Sequence, residues 1–139
     1  MRQAQGINRN GLDAALAKEE ARKSNLILEA NLLKAQECYQ DAADRFAEAA
    51  QIEEQLGDTL LQKGWLDKYF VHRFSALSCW AQAGDVYRAI VLGEELLARP
   101  DLPAPLRRRI GEYVRLLRAR RVRWFAEFAP VTAAVAASQ

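Results

Sequence analysis

His72 is the chain's single histidine, and Cys79, seven residues further on, is the one cysteine spaced to meet it on a helix. A cysteine nucleophile needs a base within hydrogen-bond reach. Seven helical residues put the two on one side but two turns, or about 10 Å, apart. That is too far for a proton to pass directly, so His72 is expected to be a partly buried structural histidine. Two cysteines, Cys38 and Cys79, and one histidine, with neither CxxC nor HxxxH spacing, do not form a zinc ligand set. There is no glycine-rich phosphate loop. The paired acids Glu19-Glu20, Glu53-Glu54 and Glu94-Glu95 fall within helical patterns, where solvated surface positions are expected. These residues point to no catalytic, metal or cofactor site.

The remaining candidates are basic. Residues 99–139 carry nine Arg against three acids, +6, and residues 1–98 carry eleven Lys/Arg against fifteen acids, −4, which sum to the net charge of +2. The segment LRRRIGEYVRLLRARRVRWFAEF reads as a helix with Leu106, Ile110, Tyr113, Val114, Leu117, Trp124 and Phe128 within an arc of about 100°. Most arginines lie outside that arc. Arg107, Arg108, Arg115 and Arg118, with Phe125 about 100° off the stripe, are therefore candidate partner contacts. Such a surface suits an acidic protein, nucleic acid or an anionic membrane, or it is a solvated capping face.

The elements that would position these residues organise around FVHRFSALSCWAQAGDVYRAIVLGEELLARP, Phe70 to Pro100. Leu66, Phe70, Phe74, Leu77 and Trp80 form one helical stripe, and Trp65, Tyr69, Ala76 and Cys79 a second, so this helix is expected between two neighbours. Gly84-Asp85 is a turn: Gly84 can close a helix in the left-handed conformation, and Asp85 can cap the next. Upstream, Tyr39, Ala43, Phe46 and Ala50 make a stripe, and Ala42, Ala43, Ala49 and Ala50 allow close helix approach. That helix could break at Gly57-Asp58 or at Gly64, and the later break is favoured. Before it runs a helix from Leu12 whose middle, AKEEARKS, is polar all round and is expected in solvent or against a partner.

Gly84, Asp85, Ala89 and Ile90, with Trp80 four residues before the Gly, resemble the tetratricopeptide repeat, a helix-turn-helix unit of about 34 residues. Ala42, Phe46 and Ala49, preceded by Ala30 and Leu33, resemble a second copy whose turn falls near Glu37-Cys38. The sequence departs from the pattern at Gly93 and Leu96. The resemblance covers residues 23–56 and 70–103, with an insertion between them. It implies antiparallel helical hairpins, about five helices in a right-handed superhelix, with the basic helix as a cap. It also implies a groove that receives a peptide or helix of a partner protein. Of the family's Lys, Asn and Arg clamp for a C-terminal carboxylate only Asn31 is present, so that clamp is not expected, although Asn31 remains a candidate contact.

The 139 residues, half of them apolar and about a quarter charged, fit a single all-α domain. It is expected over residues 11–128, between disordered tails at 1–10 and 129–139. Free cysteines and the polar opening MRQAQGINRN indicate the cytoplasm. The expected function is a non-enzymatic protein-interaction module or scaffold, open to homo-oligomerisation, with nucleic-acid or anionic-membrane binding as the alternative.

Overall fold

A computed structural model describes the backbone of residues 13–137 and the side chains of residues 13–123. The fold is all-α. Among the described residues there are five helices: α1 (Ala14–Ala35), α2 (Tyr39–Gln62), α3 (Leu66–Gln82), α4 (Val86–Leu97) and α5 (Ala104–Ala137). None is long and apolar enough to cross a membrane. Within the span expected as one domain the chain falls into two compact units, the first ending at Asp85 and the second beginning at Val86.

Asp13 opens α1, its carboxylate accepting from the Leu16 amide at 2.9 Å. The first three helices end in the same way. In each, a residue with positive φ follows the last turn: Glu37 (63°), Gly64 (78°) and Gly84 (89°). The next amide then reaches back five residues: Cys38 to the Leu33 carbonyl (2.9 Å), Trp65 to Leu60 (3.0 Å), Asp85 to Trp80 (3.0 Å). This is the Schellman closure, which satisfies carbonyls left open at a helix end. All three turns stand where the sequence placed them, including the later break of α2. Gly57 does not end α2 because it serves packing. A Cβ there would stand 3.2 Å from Arg73 Cδ, and the missing methyl lets the Arg73 stem lie against the helix.

In the first unit α2 packs against both α1 and α3. Its buried row is Ala42, Phe46, Ala49, Ala50, Ile52, Glu53, Leu56 and Leu60, met from α3 by residues of both expected stripes, Phe70, Leu77 and Trp80 with Tyr69, Ala76 and Cys79. Trp65 is exposed beside Lys63, whose Nζ lies 5.6 Å from its ring. Tyr39, expected in the α2 stripe, is 63% exposed. It is the first residue of the helix and points outward, and the buried row begins one turn later at Ala42.

In the second unit α4 packs on α5, burying Ala89, Ile90, Leu92 and Leu96 and, from α5, Ile110, Val114 and Leu117. These three follow the predicted arc. The backbone of α5 continues helical to Ala137, past the tail expected from Ala129. The alanine-rich run AAVAA favours that conformation. The side chains of Trp124, Phe125 and Phe128 and the expected tail at 1–10 lie outside the described residues.

Candidate functional site

The densest chemistry of the first unit lies where the sequence suggested none. Glu53, expected on a solvated surface, is 1% exposed. It occupies the buried row of α2, three residues after Ala50 and three before Leu56, so helical periodicity carries it inward. His72 on α3 meets it, with Nδ1 2.6 Å from Glu53 Oε1. Opposite a carboxylate, which only accepts, the imidazole nitrogen carries the proton and donates. The other ring nitrogen, Nε2, faces Glu20 Oε1 of α1 at 3.8 Å. Lys23, one turn after Glu20, places Nζ 2.8 Å from Glu20 Oε2 and 3.5 Å from Glu53 Oε2.

Three helices therefore meet at two carboxylates, one ammonium and one imidazole. Glu20 and Lys23 belong to the stretch expected in solvent or against a partner. Its position in register with Leu16, Leu26 and Ala30 instead points them at α2 and α3. Burial alone would lower the Lys23 pKa, but the hydrogen bond to Glu20 and the charge of Glu53 outweigh it and raise the value above the usual lysine range. The ammonium is held charged.

Glu54, the other member of the pair, also faces α3. It accepts from Trp80 Nε1 at 2.6 Å, and Arg73 Nη1 stands 3.7 Å from it with the guanidinium 5.8 Å from the Tyr69 ring. The two acids thus hold two points of α3 that lie eight residues apart. The Cys79 thiol is buried, and that burial, reinforced by the charge of Glu53, pushes its pKa up to about 11. A thiol so held is not a nucleophile at neutral pH. His72 is bound to Glu53 and partly buried.

Glu20, Glu53 and His72 could each turn a ligand atom toward a shared centre, all within 4.8 Å of one another. A metal ion there would face the Lys23 ammonium, whose single positive charge offsets one of the two carboxylates. The arrangement is an ion network in which the buried Glu20 Oε1 has no hydrogen-bond partner among the described residues.

The candidate contacts chosen from sequence are distributed over both units. Asn31 is exposed on α1 in the first unit; the arginines are in the second. Arg107 is structural: Nη1 donates to the Leu97 carbonyl at 2.7 Å and Nη2 to the Arg99 carbonyl at 2.6 Å, closing the end of α4. Arg118 pairs with Glu94 of α4, and Arg121 stands 5.6 Å from the Tyr87 ring. Arg108 and Arg115 are exposed, and the Phe125 side chain is outside the described residues.

Sequence reasoning missed an apolar patch on α1. Leu28 and Leu32, one turn apart, are 61% and 57% exposed with Asn31 beside them. Their spacing gave a signal, because α1 carries Leu26, Ile27, Leu28, Leu32 and Leu33, more apolar positions than one stripe accommodates.

Comparison of the chain with protein-family models, curated proteins and solved structures gives no match.

Proposed function

We propose that this chain is a non-enzymatic interaction module that receives a helix or peptide of a partner protein on the outer face of α1. The observation that carries the reading is the exposed pair Leu28 and Leu32 flanking Asn31. Large aliphatic side chains one turn apart are the anchors a helix-in-groove or peptide contact uses. The tetratricopeptide-like pattern supports the same reading, since hairpins of that kind present their helices to peptides. The ion network supports it from the other side, because the imidazole is already bonded to Glu53, the Lys23 ammonium to Glu20, and Cys79 is held neutral.

The test is a photo-crosslinker at Asn31 in the full chain, compared with Leu28→Glu/Leu32→Glu. Adducts that the charged variant loses while its far-ultraviolet circular dichroism is unchanged are the expected result. Adducts that survive the substitution, or none at Asn31, would overturn the proposal.

A further inference from the structure

Seven of the eight arginines in residues 104–123 divide into two sets by what they touch, with Arg109 falling between Arg123 and Arg120 around the helix and assigned to neither. With Arg108 as origin and about 100° per residue, Arg107, Arg118 and Arg121 fall on the side toward α4. There they close its carbonyls, pair with Glu94 and cover Tyr87. Arg108, Arg115, Arg120 and Arg123 fall on the other side, within an arc of about 140°, and all four are exposed. No described ion pair holds any of these four. Glu112 is the only acid in residues 104–123, against eight arginines.

We infer that this outer face of α5 is a second binding surface, for the phosphate backbone of nucleic acid. Arg108, Arg115 and Arg123 follow one another at about 10 and 12 Å along the axis, with Arg120 at the edge of the row. A row of guanidiniums suits phosphates because each can donate two parallel hydrogen bonds to one group. Residues 104–123 of the helix offer little to a bilayer. Among these described residues the apolar stripe, Ile110, Val114 and Leu117, is already buried, leaving Leu116 and Val122 outside, each 66% exposed and on opposite flanks of the arginine row. A surface helix anchors to membrane through a continuous apolar face. Contact through arginines alone is sequence-independent and rests on the release of condensed counterions.

The experiment is fluorescence anisotropy of labelled single-stranded and duplex probes of about 20 nucleotides or base pairs with the full chain. Salt is varied from about 50 to about 200 mM. Four phosphate contacts predict a slope of log K against log salt of about −3 to −4, a loss on the order of a hundredfold across that range. Replacing Arg108, Arg115, Arg120 and Arg123 with Gln should lower affinity at the lowest salt at least tenfold and flatten the slope. Arg118→Gln, on the α4 side, should change it little. Vesicles containing anionic phospholipid and polyglutamate are run alongside. Absence of nucleic-acid binding at the lowest salt would overturn the inference. So would a quadruple variant that binds as the parent does, or tighter binding to vesicles or polyglutamate. The α1 surface is untouched by these variants, so the two proposals fail separately.

Discussion

Replacing Glu53 with Ala should be among the most damaging single changes in the first unit. The carboxylate is 1% exposed and accepts from His72 at 2.6 Å while standing 3.5 Å from the Lys23 ammonium. Its removal leaves a largely buried ammonium with Glu20 alone and a buried ring nitrogen without an acceptor. Breaking a buried ionic contact by deleting one partner costs about 3 to 5 kcal/mol, mainly through the charge left behind. Glu53→Gln keeps the volume and an acceptor for His72 and loses only the charge, so about 1 to 3 kcal/mol is expected. Urea unfolding followed by far-ultraviolet circular dichroism measures both, with the denaturant slope checked for constancy. A double-mutant cycle with His72→Ala should give a coupling energy of about 0.5 to 3 kcal/mol. An Ala variant within about 0.5 kcal/mol of the parent, the range of ordinary surface substitutions, would show that Glu53 is a solvated residue and that the network does not hold the helices.

Stability should fall in alkali. The folded state raises the pKa of both Cys79, to about 11 from 9.0, and Lys23, so it binds protons more tightly than the unfolded chain, and stability is full below about pH 9 and lost as pH rises. Cys79→Ala should remove the part of that slope between about pH 9 and 11, read from urea midpoints across pH. Arg107→Ala should cost the second unit about 1.5 to 3 kcal/mol, because two charge-assisted bonds to the Leu97 and Arg99 carbonyls disappear. Lys at this position should recover only part of the loss, since its compact ammonium lacks the planar fork that reaches two carbonyls. Glu37 holds φ 63°, which Gly adopts without a Cβ clash, so Glu37→Gly should raise the thermal midpoint, whereas Gly64→Ala, at φ 78°, should cost about 1 to 2 kcal/mol.

The helices and the turns at Gly64 and Gly84 were legible because each rests on a local signal. Gly64 and Gly84 supply the left-handed residue of a helix closure, and the alanines of α2 mark where its neighbours approach. The turn at Glu37 was reached only through the tetratricopeptide-like spacing, since Glu pays a steric penalty there and gives no local sign. The ion network was not legible for a different reason. An acid at position 53 looks like any surface acid until its register with Phe46, Ala50, Leu56 and Leu60 is given more weight than its polarity. Glu20 and Lys23 were hidden in the same way, because a polar run breaks a hydrophobic stripe in sequence while continuing it in space. The arginines of α5 were found by composition. Their division into a set that contacts α4 and a set that does not depends on α4 carbonyls, Glu94 and Tyr87, which no pattern within α5 reveals.

On the proposed reading, the buried charges bind the helices to one another and the chain acts through its outer surface. The direct measurement is crosslinking from Asn31 in a Glu20→Met/Lys23→Met/Glu53→Leu/His72→Phe variant, with the fold followed by circular dichroism. Exchanging a whole buried ionic group for apolar side chains is often neutral or stabilising, so the variant should fold and give the adducts of the parent. A folded variant that has lost those adducts would place the function in the network and contradict the account.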